Sequence, residues 1–136
     1  MKKLFIAAFI FASTFASNTF AEVKMGIILG FTGPIESLTP AMAASAELAF
    51  KEASDSGALL GGEKITVVRA DSTCVDSAAA TAAAEGVISQ GVAAIMGADC
   101  SGVTGAIASN VAGPNGVVMI TPSATSPGLT SLDDKG

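Results

Sequence analysis

The chain has 136 residues, with 12 acidic and 7 basic side chains, no His, no Trp and no Tyr. The length fits one domain, and a net charge of -5 speaks against a nucleic-acid surface or docking onto anionic lipid, both of which need a basic face. Without histidine the usual general base is missing, and neither a G-x-S-x-G elbow nor a G-x-x-x-x-G-K-[ST] loop is present, so hydrolase and nucleotide-triphosphate readings lose their machinery.

Residues 1–21 read as a secretory signal peptide. Lys2 and Lys3 form a basic start, Leu4 to Ala12 an apolar core, and Thr19-Phe20-Ala21 a small-x-small cleavage site. The core is about half the ~20 residues that a membrane-spanning helix needs, so stable membrane insertion is not expected. A lipoprotein would need a Cys near the cleavage site, and none is there. The mature chain would begin at Glu22, and loss of the two lysines takes its net charge to -7.

The elements follow in order. Val23 to Gly30 predicts a first strand, followed by the turn Phe31-Thr32-Gly33-Pro34. Thr39 before Pro40 predicts a helix start, with Thr39 as the N-cap. Met42, Ala46, Ala49, Phe50 and Ala53 recur at helical spacing, and Gly57 is the expected stop. Lys64 to Ala70 predicts a second strand, and Asp71 to Asp76 a loop. Ser77 to Gln90 predicts a helix capped by Asp76 or Ser77 and stopped by Gly91. Val92 to Gly97 predicts a third strand, Ala98 to Gly102 a loop, and Ser101 the cap of a helix running to about Ala112. Val117 to Thr121 predicts the fourth strand.

The order β-α-β-α-β-α-β, with short apolar strands that do not alternate, implies an α/β fold: a doubly wound parallel sheet covered on both faces. In such a sheet, ligands bind outside the carboxyl ends of the strands where the strand order reverses. With the order 2-1-3-4, three loops converge there: Gly30 to Gly33, Asp99 to Gly102, and Ser123 to Ser126. Hydroxyls at Ser101, Ser123 and Thr125 and the amides at a helix start suit a carboxylate or phosphate; the competing reading is a cap and an ordinary turn after Pro122. Cys74 and Cys100 in an exported chain default to a disulfide. A catalytic thiol would want a base, and zinc would want further soft ligands. Asp71, Asp76 and Asp99 could be offered as a metal cluster, but they lie on different loops. Gly97, Gly102 and Gly105 only approximate a dinucleotide loop. No cofactor is expected, and no catalysis.

Four segments carry a resemblance, in order: GIILGFTGP (26–34), DSTC (71–74), MGADCSG (96–102) and VVMITPSATSPGLT (117–130). The chain resembles the N-terminal part of a periplasmic solute-binding protein of the branched-chain amino acid and amide uptake type. The resemblance implies a two-lobed type I periplasmic binding fold, of which residues 22–136 are the N-terminal portion of lobe 1. It implies a Cys74–Cys100 disulfide, an amino-acid ligand in the periplasm, and ABC permease subunits as partners. It implies that Ser101, Ser123 and Thr125 meet the ligand's carboxylate and ammonium. Asp99 stands where leucine-type binders tend to be apolar, and Leu38 where an aromatic is common. Both would shape the choice of ligand, with Asp99 favouring a polar or cationic side chain. The alternatives are a periplasmic amino-acid sensor domain and a small nucleotide-binding enzyme domain.

Overall fold

β1 (Glu22–Leu29) is the centre of the sheet because its last three side chains, Ile27, Ile28 and Leu29, are fully buried and alternate between its two faces. Each such side chain stabilises by roughly 1.5–3 kcal/mol when wholly removed from water, so this one strand anchors both layers. The computed structural model describes residues 22–133; the signal peptide read from residues 1–21 lies outside them.

Ile27 and Leu29 meet α1 (Thr39–Asp55) through Met42, Ala43, Ala46 and Phe50. Ala49, expected on that stripe, is exposed, because the inward line runs through Thr39, Ala43, Ala46 and Phe50 and position 49 lies off it. Thr39 is not the cap. Leu38 takes the cap position without a side-chain bond, and the Met42 amide is bonded to the Leu38 carbonyl. The Thr39 hydroxyl instead donates to Gly30 O at 3.1 Å and to Glu36 O at 3.3 Å, wholly buried.

β2 (Lys64–Asp71) pairs in parallel with β1 from Glu22↔Lys64 to Leu29↔Asp71. It is an edge strand: Lys64, Thr66 and Arg69 are exposed, so apolar cover on both faces does not extend to it. α2 (Ser77–Ile88) starts at Asp76, whose carboxylate accepts from the Ala78 and Ala79 amides at 2.9 and 3.0 Å. β3 (Val92–Gly97) lies on the other side of β1. α3 (Ser101–Ile107) begins one residue earlier than a Ser101 cap would place it, with Cys100 at the cap. It runs on as a π-helical turn over Ala108–Ala112, closed by the Gly113 amide on Ala108 O at 2.9 Å. Its extent matches the single helix read from the sequence; its winding does not.

β4 (Val118–Ile120) is shorter than the five residues expected. Thr121 leaves the ladder because its hydroxyl donates to Ala98 O and accepts from the Ala124 amide at 2.9 Å. The sheet order is β2-β1-β3-β4, all parallel, as the convergence of loops required. Ile28, Ala80, Ala84, Val87, Ile95, Val103 and Ile107 form the second core layer, under α2 and α3. Close packing at the carboxyl end of β3 requires glycine: Gly97 has φ +134°, and a Cβ there would sit 2.0 Å from Ile28 O.

Candidate ligand-binding crevice at the strand ends

The loops after β1, β3 and β4 meet at the carboxyl edge, because β3 lies between β1 and β4. Hydroxyls stitch them together. Ser101 Oγ accepts from the Thr125 and Ser126 amides, each at 3.1 Å. Ser123 Oγ donates to Asp99 O at 2.8 Å. Thr104 Oγ1 donates to Ala98 O at 3.1 Å and Cys100 O at 2.9 Å. A hydroxyl both donates and accepts, so Ser101, with its oxygen accepting from two amides, keeps its proton to give. Ser126 Oγ accepts from the Gly128 amide at 3.3 Å and starts the 3-10 turn Pro127–Ser131.

The five residues read from the sequence fall into three placements. Ser101 and Ser123 are half-buried and Thr125 exposed, on adjoining loops joined by the bonds above. Leu38 is 55 % exposed at the start of α1, which the Thr39 hydroxyl fastens to the β1 loop. Asp99 differs from expectation. It is 3 % exposed, and its carboxylate is taken up by protein donors: Gly30 N at 2.8 Å, Cys100 N at 3.0 Å and Ser72 Oγ at 3.3 Å. The carboxylate is thus spent on the protein's own loops, a role that the reading of Asp99 as a determinant of ligand choice did not include.

Sequence reasoning missed Thr39, Ser72 and Thr121 as loop fasteners. Ser72 stood inside the quoted DSTC segment, the one available signal; Thr39 looked like a cap, and Thr121 like the end of a strand.

The β1 and β2 loops are joined separately. Asp71 accepts from the Thr32 hydroxyl at 2.6 Å, the Thr32 amide at 3.3 Å and the Thr73 amide at 2.8 Å. Burial pushes the Asp71 carboxyl up, but the Thr32 hydroxyl and the Thr73, Thr32 and Phe31 amides outweigh it and hold it below its ordinary 3.8. Beside it, Arg69 lies 5.6 Å from the Phe31 ring centre and donates to Glu47 at 2.6 Å. Cys74 and Cys100 form a disulfide with their Cα atoms 5.2 Å apart, clamping the β2 loop to the start of α3. Asp71, Asp76 and Asp99 are each taken up by a separate set of protein donors, and among the described residues no group of three or more such side chains is placed to hold a metal ion.

A cavity of about 410 Å³ lies on the flank of β4 and reaches the strand ends, lined by Gly97, Thr104, Ala108, Met119, Thr121 and Leu129 among others; Ser101, Ser123 and Thr125 do not line it. The hydroxyl-bearing crevice is by contrast an open wall.

Residues 22–133 match the family described as periplasmic binding protein. The chain is 31 % identical over 131 residues to a Leu/Ile/Val-binding protein homologue of Brucella melitensis, covering 96 % of this chain and 35 % of that one. It is 31 % identical over 121 residues to the Leu/Ile/Val-binding protein of Escherichia coli strain K12, covering 88 % and 32 %. In structure it is similar to the branched-chain amino acid transporter substrate-binding protein of Streptococcus pneumoniae in complex with isoleucine, with a TM-score of 0.72, 32 % identity, and coverage of 82 % of this chain and 31 % of that one. An ABC transporter substrate-binding protein of Desulfitobacterium hafniense complexed with Leu gives 0.70 at 29 % identity, covering 83 % and 32 %. The chain thus spans about a third of the length of these relatives. With the parallel sheet in the expected order and the match running over every described residue, this chain belongs to the periplasmic binding protein family.

Proposed function

We propose that this chain supplies one wall of an amino-acid-binding site in a periplasmic solute-binding protein that hands its ligand to ABC permease subunits. The observation that carries the reading is the stitched edge at Ser101, Ser123 and Thr125, where hydroxyls and amides of two loops are presented together. Ser101 gives its hydroxyl proton to the ligand carboxylate. Thr125 donates to the carboxylate and accepts from the ammonium, and Ser123 contributes its backbone carbonyl. Leu38 packs against the ligand's side chain. Hydrogen bonds to charged groups are worth about 1.5–3 kcal/mol each, so two or three of them suit a ligand recognised by its common backbone. Branched-chain amino acids are the favoured class, because the solved relatives at about 30 % identity hold isoleucine and leucine. Residues 1–21 act as the export signal, and the disulfide suits an oxidising compartment.

The test is a chimera in which residues 22–133 replace the matching segment of the Escherichia coli Leu/Ile/Val-binding protein. Calorimetry against the twenty amino acids should give micromolar or tighter binding of leucine or isoleucine. A folded chimera that binds none of the twenty would overturn the reading.

A further inference from the structure

We propose that Asp99 is the positioning residue of the crevice: one buried side chain and its own backbone fix the relative placement of all four strand-end loops. Its Oδ2 accepts from Gly30 N in the loop after β1. Its Oδ1 accepts from Ser72 Oγ after β2 and from Cys100 N at the entry to α3. Its carbonyl accepts from Ser123 Oγ after β4, at 2.8 Å. The approach is close: a Cβ on Gly30 would lie 3.4 Å from Asp99 Oδ2 and 3.1 Å from Cys74 Cβ.

The residue type follows from the donors. A carboxylate is acceptor-only on both oxygens, and its hydrogen bonds are shorter and stronger than neutral ones. Buried at 3 % exposure, it needs those donors. Two of them, the Gly30 and Cys100 amides, approach different oxygens and cannot reverse direction; only the Ser72 hydroxyl can. An amide in place of the carboxylate therefore turns an NH2 against one backbone N–H, whichever way it is flipped. Ser101 and Ser123 follow directly from this tie, Ser101 as the next residue after Cys100 and Ser123 through its own bond. Asp99 thus acts on a ligand only through these neighbours.

The consequence for affinity rests on the functional reading given above; the tie itself does not, so it is tested first without ligand. In Asp99→Asn of the full chain, amide hydrogen exchange at Gly30 or Cys100 should accelerate roughly tenfold or more, while amides in the middle of β1, at Gly26 and Ile27, stay within about twofold. A uniform acceleration of core and loop amides would mean a general loss of stability and overturn the assignment, as would unchanged exchange at both loop amides. If Asp99→Asn does not fold, the unaltered chain decides: a through-hydrogen-bond NMR correlation from the Gly30 and Cys100 amides to the Asp99 carboxyl carbon supports the tie, and its absence overturns it. In the chimera, Asp99→Asn should then weaken leucine and isoleucine by the same factor. A changed leucine-to-isoleucine ratio would make Asp99 a ligand contact instead of a positioning residue.

Discussion

Ser101, Ser123 and Thr125 are all hydroxyls on one edge, but truncating each removes something different. Thr125 is exposed and its Oγ1 makes no hydrogen bond to another loop among the described residues, so Thr125→Ala should remove a ligand contact alone. Ser101→Ala also frees the Thr125 and Ser126 amides, which are exposed and can turn to water. Ser123→Ala removes only the bond to Asp99 O. In the chimera, Thr125→Ala and Ser101→Ala should each weaken leucine binding by about one to two decades, the size of a lost bond to a charged group. Ser123→Ala should cost much less. The losses should be equal across ligands, since these groups meet the backbone that all amino acids share. If calorimetry finds Thr125→Ala and Ser101→Ala within about twofold of the parent, the hydroxyls are turn formers only. The sequence draws attention to Ser123, Thr125 and Ser126 because three hydroxyls crowd behind Pro122, more than a turn needs, and to Ser101 because it opens a helix at a strand end. The ties that Asp99 makes were not legible because its partners are mainly backbone amides, which every residue carries and no sequence pattern marks. Its odd polarity beside apolar neighbours was visible; whether it faced ligand or protein was not.

Among the elements, strands and helices appeared in the order read, because each β-to-α switch was punctuated by Gly, Pro or Asp. What the sequence could not carry were the places where a side chain found a tertiary partner: Thr39 bonding back to the β1 loop, and Thr121 cutting β4 short. The π turn after Ile107 has no sequence signal that we can name. The loop elements support two predictions. The disulfide closes a sequence separation of 26 residues and joins the β2 loop to α3. In the chain-entropy account such a closure stabilises by about 3–4 kcal/mol, so reduction should lower the urea unfolding free energy by roughly that amount. A change below about 1 kcal/mol would show that the hydroxyl stitching suffices. Asp71 gives the second. Its carboxyl is lowered in the folded chain, so its contribution to stability is present above its unfolded value and is lost as pH falls through the lower folded value. Below about pH 4, then, the chain should lose stability more steeply than an Asp71→Asn variant does. Glu47 and Asp55 are lowered too, by the hydrogen bonds from Arg69 and Lys51 respectively, but both pairs are solvent-exposed and weigh little. Parallel acid slopes in the two proteins, measured by urea midpoints at pH 6 and pH 3, would remove Asp71 from the account.

At the scale of the molecule, the hydroxyl-bearing edge of residues 22–133 is open and not an enclosure. Small ligands bind tightly when most of their surface is buried, yet Thr125 is exposed and the cavity of about 410 Å³ on the β4 flank is not lined by Ser101, Ser123 or Thr125. Two or three charge-assisted bonds open to water give only a fraction of what they give in an enclosed site, because water competes for each donor. Residues 22–136 alone should therefore bind no amino acid with a Kd tighter than about 1 mM, where the available free energy is only about 4 kcal/mol. The same geometry predicts self-association. β4 is an edge strand of three residues, and its Val118 and Ile120 are 63 % and 69 % exposed. An open apolar edge is a template for a second strand. Sedimentation should show dimers or larger species at tens of micromolar, and a lysine at position 120 (Ile120→Lys) should shift the chain back toward monomer without changing its disulfide. Calorimetry of the same material against leucine, isoleucine, valine and a polar panel checks the first half: micromolar binding by the monomeric Ile120→Lys variant would mean that this wall alone forms a complete site. Comparing that variant with the chimera keeps the two effects apart, since it can fail to bind for want of the facing wall while the chimera, given that wall, still binds.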